Sequence, residues 1–465
     1  MIQIKVRRLV LRILTCMTDL ETRYATRNVP RYTSYPTAPH FSEAVTPTLY
    51  GNWLEDLAPE EPLSLYLHVP YCRELCHYCG CNTKATRQDA PVDAYAQTLL
   101  KEIDLVLKYL GKGRPVSHIH WGGGTPSMLS RDRFLEITAK LKQSFDLQEN
   151  LEHAIELDPR TVTPYLAETL AMAGINRTSL GVQDFDPEVQ KLIGRVQPFS
   201  VVSSAVAFLR HQGLERINFD LMYGLPGQTE ETIRKTVQLT KGLSPTRVAL
   251  FGYAHVPWFK KHQRLIDEDL LPNTQERIRL SDVSRSALVE AGYDAIGLDH
   301  FALPEDEMAV ALKQGRLRRN FQGYTTDTAQ TLVGFGPSSI GFLPSGYVQS
   351  TPETNEWSRC VEAGILPVKK GIAINDDDRC RADIIERIMT VYQVDLEDTA
   401  RRFGLPISHF DDSMKALEPL MEDGLVVIDN NRVMVSDQGR RYVRVVAAAF
   451  DAYLAKQTAK HSVAV

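Results

Sequence analysis

Four cysteines crowd into one short run, Cys72-Arg-Glu-Leu-Cys76-His-Tyr-Cys79-Gly-Cys81. Thiolates are soft metal ligands. The first three, at this spacing, can reach three corners of a 4Fe–4S cubane and leave a fourth iron for a substrate group. Zinc is the rival occupant, because four cysteines can close a tetrahedral site. Structural zinc ordinarily takes cysteine pairs from two separated knuckles, not from a single loop. The chain has 7 cysteines, an odd number. Cys16, Cys360 and Cys380 have no partner at metal spacing and read as buried or incidental thiols. Such a set is a poor disulfide framework and points to cluster chemistry in a reducing cytoplasm.

A second segment, WGGGTPS at 121–127, follows a strand-like stretch. Its three glycines let backbone approach a ligand with no Cβ in the way. Taken alone it reads as a tight turn. His68, His118, His120 and His255 fall on strand-like segments and read as core or supporting histidines.

These residues need a frame. Short apolar, β-branched runs predict strands at 63–69, 116–121, 153–158, 177–183, 216–224 and 247–254, with a further candidate at 293–299. Helical patterns lie between them: Ala94–Leu110, Arg131–Ser144, Pro164–Ala173, Ser200–Gln212, Glu230–Leu243 and Thr274–Ala291. Thr163 before Pro164 and Gly174 after Ala173 are ordinary start and stop signals. Regular alternation of this kind predicts an α/β fold with a parallel sheet, a partial (β/α)6 TIM-like barrel. The cysteine loop directly follows the first strand. It therefore falls at the C-terminal end of the barrel, where such folds build active sites.

The expected organisation is an N-terminal extension over 1–60, wrapping the substrate site, a barrel over 61–374 and a small helical, winged-helix-like unit over 375–465. That last stretch carries 12 basic against 16 acidic residues, a net −4, so a lid or packing role is expected and not nucleic-acid binding. The whole chain has a formal net charge of −5, with 43% hydrophobic and 24% charged residues. This is ordinary for a globular protein and offers no bulk attraction to nucleic acid or membrane. No apolar run is long enough to span a membrane. The opening MIQIKVRRLVLRILTC is broken by Arg12 and lacks a small-residue cleavage site, so export is not expected. A native start at Met17 is the alternative.

The CxxxCxxC loop resembles that of radical S-adenosylmethionine enzymes. With Cys81 it becomes CxxxCxxCxC, which resembles the oxygen-independent coproporphyrinogen III oxidases. PRYTSYPTAPHF (30–41), LYLHVPYC (65–72), WGGGTPS, INFDLMYGLPGQT (217–229), GLDHFALPEDE (297–307) and NFQGYTT (320–326) carry the same likeness. It runs from about residue 20 to the C-terminus and excludes residues 1–16.

The resemblance implies a barrel of the radical S-adenosylmethionine type. It implies one 4Fe–4S cluster on Cys72, Cys76 and Cys79, with Cys81 in a supporting role. Two S-adenosylmethionine molecules are implied. Tyr66, Tyr78, Gly123, Glu156 and Ile340 surround the first. Gly124, Thr125, Gln183, Arg195, Asp220 and Ala254 surround the second. The chemistry suits the residues: carboxylates for hydroxyls or ammonium, an arginine fork for a carboxylate, aromatic faces for a sulfonium. The implied reaction is oxidative decarboxylation of two propionates of coproporphyrinogen III to vinyls, giving protoporphyrinogen IX for haem. A 5′-deoxyadenosyl radical from reductive cleavage of S-adenosylmethionine starts it, and no protein side chain is implied as a catalytic group. A flavodoxin- or ferredoxin-like electron donor, an electron acceptor and a monomeric enzyme belong to the same expectation. Arg31, Arg318 and Arg319 are expected to face the tetraanionic substrate. The alternatives are a radical haem-degrading methyltransferase and a non-catalytic haem chaperone.

Overall fold

The computed structural model describes residues 20–454. The expectations for residues 1–16 and for Cys16 lie outside them. Six strands follow one another in chain order: β1 (Leu63–Val69), β2 (Arg114–Gly123), β3 (Phe145–Leu157), β4 (Arg177–Gln183), β5 (Arg216–Tyr223) and β6 (Arg247–Gly252). Each pairs in parallel with the next. Strands covered on both faces need near-continuous apolar runs. LSLYLHV obeys this, with every β1 residue but Tyr66 buried.

The intervening helices are α1 (Ala90–Leu110), α2 (Arg131–Ser144), α3 (Pro164–Ala173), α4 (Phe199–His211), α5 (Glu230–Leu243) and α6 (Thr274–Glu290). The expected ends of α3 are real. Thr163 Oγ1 accepts from the Leu166 N–H, and Gly174 turns left-handed at φ 84°.

The barrel does not close. Past β6 lie two short antiparallel strands, β7 (Asp294–Ile296) and β8 (His300–Ala302). The run 293–299 therefore does not form one more parallel strand. Gly297 turns the chain at φ 58° and sends it straight back. Next come β9 (Arg318–Asn320) and β10 (Gly323–Thr325), a separate hairpin. Beyond β1 on the other side stand β11 (Thr331–Phe335), parallel to it, and an antiparallel meander of β12 (Ile340–Leu343), β13 (Gly346–Ser350) and β14 (Val368–Ala373). The result is a 12-stranded sheet with two free edges, a partial barrel.

The C-terminal unit holds α7 (Asp376–Val391), β15 (Gln393–Asp395), α8 (Leu396–Arg402), α9 (Asp411–Glu422), β16 (Val426–Asp429), β17 (Arg432–Val435) and α10 (Val443–Ala448). The β16–β17 hairpin turns on Asn430 and Asn431, at φ 46° and 66°. Both angles suit a two-residue hairpin loop. With β15 added, the helices and the hairpin make the winged-helix-like arrangement. Among the described residues no helix is long and apolar enough to cross a membrane.

Two large cores result, and the segment before β1 divides between them. Val45, Tyr50, Trp53 and Leu54 join the barrel core. Tyr24, Val29, Tyr32 and Tyr35 instead join the C-terminal core with Ile384, Phe410, Leu417 and Val446. Polar contacts fasten this junction. Arg23 pairs with Asp423 at 2.7 Å, and the Tyr32 hydroxyl donates to Asp451 at 3.0 Å.

Candidate active site

Parallel strands point the same way, so the C-terminal ends of β1 to β6 share one mouth. The cysteine loop leaves β1 there. Every sulfur of the CxxxCxxC triad accepts hydrogen bonds. Thr83 and Thr125 donate to Cys72 Sγ at 3.3 and 3.4 Å. Arg195 Nη1 donates to Cys76 Sγ at 3.3 Å, and the Cys81 N–H to Cys79 Sγ at 3.4 Å. The Cys81 thiol does most to lower the Cys79 thiol, to about 6. Burial opposes it, and the Cys81 N–H, His262 and Lys260 assist. All three cysteines are free thiols. Among the described residues no three Cys, His, Asp or Glu side chains gather as ligands of a single ion. A cubane instead places each sulfur on its own corner. Soft, hydrogen-bonded thiols on one exposed-edge loop fit that group.

The loop is strapped from outside by residues that sequence reasoning missed. Between β6 and α6, Lys260 Nζ donates to the Cys81 carbonyl at 2.8 Å. Gln263 Nε2 donates to the Tyr78 carbonyl at 2.8 Å and to that of Ala254 at 3.3 Å. His262 Nε2 meets the Cys79 carbonyl at 2.7 Å. The His77 N–H donates to the Ile193 carbonyl at 2.9 Å. Lys260, His262 and Gln263 lie some 180 positions from the cysteines, with no shared motif to betray them.

The glycines of 122–124 do not leave open room. A Cβ on Gly123 would stand 2.6 Å from the His68 ring, and one on Gly124 would stand 2.5 Å from the Tyr71 carbonyl oxygen. The space belongs to protein groups, and it lets β2 press against the cysteine loop. The Thr125 N–H donates to that same Tyr71 carbonyl at 2.7 Å.

Glu156, at the end of β3, is the hub. Its carboxylate meets His120 Nε2 at 3.1 Å and accepts from the Gly123 N–H at 3.2 Å. His120 stacks on Tyr66, with ring centroids 5.9 Å apart, and the Tyr66 hydroxyl meets His68 Nδ1 at 3.1 Å. Burial pushes Glu156 up, but the bond and charge of His120, the Gly123 N–H and His68 together hold it below the usual carboxylate range. On β5, Asp220 has the opposite fate. Burial first, then the charge of Glu156, push it up to about 7, against hydrogen bonds from Ser179 at 3.0 Å and Asn218 at 2.9 Å. Near neutral pH the mouth thus holds one ionised carboxylate and one carboxyl group poised between its two protonation states.

Arg195 lies against protein partners: Cys76, the Gly181 carbonyl at 2.8 Å, Gln197 at 3.1 Å and Asp158 at 3.3 Å. Burial works against its charge, but Tyr78, Asp158 and Cys76 hold it above its ordinary value. Gln183 ends β4 with a left-handed φ of 66°. Ala254 follows β6, and Ile340 opens β12 beside the loop that carries Ser338, whose hydroxyl meets His68 Nε2 at 3.4 Å. Of the arginines expected to face substrate, Arg318 is tied to Glu386 at 2.8 Å on α7. Arg319 covers the Tyr324 ring at 4.4 Å. Arg31 is exposed.

Comparison with known proteins agrees with this geometry. The radical SAM superfamily model matches residues 66–240, and the HemN C-terminal domain model matches 374–442. An oxygen-independent coproporphyrinogen III oxidase of Bradyrhizobium diazoefficiens is 48% identical over 447 residues, 96% of this chain and 99% of its own. One of the same name from Paracoccus denitrificans is 42% identical, covering 91% of this chain and 94% of its own. The solved structure of coproporphyrinogen III oxidase from Escherichia coli, described as a radical SAM enzyme, superposes with a TM-score of 0.88. It is 37% identical and covers 91% of this chain and 98% of its own. A cysteine loop at a barrel mouth, a matching C-terminal unit and near-full-length relatives lead to one conclusion: the chain belongs to the oxygen-independent coproporphyrinogen III oxidases, radical enzymes that use a 4Fe–4S cluster and S-adenosylmethionine.

Proposed function

We propose that this chain is an oxidoreductase that decarboxylates coproporphyrinogen III oxidatively, without oxygen, to protoporphyrinogen IX in haem biosynthesis. Two propionates become vinyls. The observation that carries the reading is a loop of three hydrogen-bonded thiols at the C-terminal mouth of the barrel. The near-full-length relatives are named as oxidases, which favours this reading over haem breakdown or haem chaperoning. When bound, a 4Fe–4S cluster and S-adenosylmethionine supply a reducing electron and a 5′-deoxyadenosyl radical that removes substrate hydrogen.

The protein holds and shields. Cys72, Cys76 and Cys79 take three irons. Thr83, Thr125, Arg195 and the Cys81 N–H offset charge on the sulfurs. Glu156, kept ionised, suits an ammonium or ribose hydroxyl, and Tyr66 and Gly123 stand beside it. Tyr78 and Ile340 complete the surroundings of this first S-adenosylmethionine. Gly124, Thr125, Gln183, Arg195, Asp220 and Ala254 surround a second. In its protonated form Asp220 can both donate and accept, and it then places no second negative charge beside Glu156. The segment before β1, held in the C-terminal core, covers the substrate. We place the enzyme in the reducing cytoplasm as a monomer, served by a flavodoxin- or ferredoxin-like donor and an electron acceptor.

The test uses anaerobically reconstituted protein with S-adenosylmethionine, a reductant and coproporphyrinogen III. Protoporphyrinogen IX is expected, with one 5′-deoxyadenosine for each propionate lost. Cys72→Ser, Cys76→Ser or Cys79→Ser should each lose cluster iron and turnover, whereas Cys81→Ser should keep its iron. Intact turnover in any of the first three would overturn the ligand assignment. Haem binding without turnover would overturn the function.

A further inference from the structure

Beyond the cysteines and carboxylates, the mouth gathers positive charge from four distant parts of the chain. Arg277, on α6, reaches over the ends of β5 and β6. It donates to the Tyr253 carbonyl and lies 5.5 Å from the Tyr223 ring centre. A Cβ on Gly252 would stand 2.6 Å from its Nη2, so glycine is what admits it. Arg319, on β9, donates to the Arg31 carbonyl at 3.3 Å. Arg444, on α10, donates to the Pro30 carbonyl at 3.0 Å and to the Val29 carbonyl.

These guanidinium groups sense one another. Burial and then the charge of Arg31 lower Arg444, to about 10, with Arg319 adding to the effect. Burial also lowers Arg277, Tyr223 opposes, and Arg31 lowers it further. Among the described residues, none of Arg31, Arg277 and Arg319 forms a salt bridge. Arg277 Nε and Arg319 Nε and Nη1 are buried with no hydrogen-bond partner. The Asp299 carboxylate feels the charges of Arg319 and Arg31. Burial raises it, but the bond from His300 at 2.8 Å and the charges of Arg319 and Arg31 bring it down to about 2. Asp299 is already bonded to His300, and Glu386, which accepts from the Arg319 N–H, is paired with Arg318, so neither forms a salt bridge with this set. Like charges brought together around partly buried guanidinium groups attract an anion, and planar forks match carboxylates in pairs.

We propose that Arg31, Arg277 and Arg319 form the seat for propionate carboxylates of the porphyrinogen, with Arg444 positioning the segment that carries Arg31. This rests on the function proposed above. It also divides the mouth: cluster side on β1 to β3, carboxylate side where α6, β9 and the segment before β1 bring their arginines, beyond the ends of β5 and β6. Arg318, the neighbour of Arg319, plays no part, because it faces Glu386.

The test titrates coproporphyrin III, the stable oxidised tetraacid, and its tetramethyl ester into the protein by fluorescence. Arg277→Gln, Arg319→Gln and Arg31→Gln are compared with the corresponding Lys variants. Arg31 is exposed, so its variant keeps the fold even if a buried one does not. Wild type should prefer acid to ester by about tenfold or more. The Gln variants should lose that preference with ester affinity unchanged, and Lys should restore part of it. In turnover, KM for coproporphyrinogen III should rise more than kcat falls. Wild-type acid affinity in all three Gln variants overturns the seat. If wild type turns over the porphyrinogen and the variants keep its KM, the seat falls alone. A wild type that binds neither acid nor ester brings down the function and the seat together.

Discussion

Glu156 and Asp220 face one mouth, and only one of them carries a full charge. Between about pH 4 and pH 7 the folded chain keeps a proton on Asp220 that the unfolded chain has released. The folded state binds more protons, so this group's contribution to stability falls as pH rises through the window. Asp220→Asn should remove that decline. By urea unfolding, the loss of stability between about pH 5 and about pH 7.5 should be larger in the wild type than in the variant by on the order of 2 kcal/mol. Parallel profiles would mean that Asp220 is ionised in the fold. The thiols offer a second check. Cys79 is held near 6, first by the Cys81 thiol. In protein stripped of metal, Cys81→Ala should slow alkylation of Cys79 at about pH 6.5, because less thiolate is present. An unchanged rate would remove Cys81 from that role. The cysteines were legible from spacing because one loop carries them all. Arg277 and His262 were not, since their partners are far away in sequence and no local pattern links them. Arg318 and Arg319 looked alike until the strand turned them to opposite sides, one to Glu386 and the other to Tyr324.

At the scale of elements, the barrel strands were largely readable because buried parallel strands demand apolar runs. β1 and β4 have the boundaries that the residues suggested. The short antiparallel strands at both edges escaped notice, since a few residues carry no periodicity. Two elements invite measurement. At the N-terminal end of β6, Arg247 pairs with Asp306 at 2.7 Å, both side chains 6% exposed. Arg247→Met should destabilise the fold by about 3–5 kcal/mol, because Asp306 is left buried and less well paired. Urea unfolding measures it, and a change within error would place that pair outside the stabilising set. The strap between β6 and α6 depends on Gln263, whose side chain satisfies three backbone groups through the Tyr78, Ala254 and Val256 bonds. Gln263→Ala should hasten iron loss to a chelator severalfold, since the cysteine loop loses its outer anchor. An unchanged rate would show that Lys260 and His262 hold the loop alone.

For the molecule as a whole, the two cores matter more than the number of strands. The turn at Asn430–Asn431 and the helical spacing made the C-terminal unit visible. Its partnership with residues 24–35 was invisible, because nothing in a short tyrosine-rich stretch says which distant core will receive it. Asp423, 400 positions away, receives Arg23. That junction sets an order on synthesis. Synthesis makes the segment bearing Arg31 before the barrel and the helix bearing Arg444 after it. The barrel strands are therefore all made before the core that holds the Arg31 segment can form. A polypeptide clipped ahead of that helix would keep every barrel strand yet leave the segment bearing Arg31 without the core that holds it.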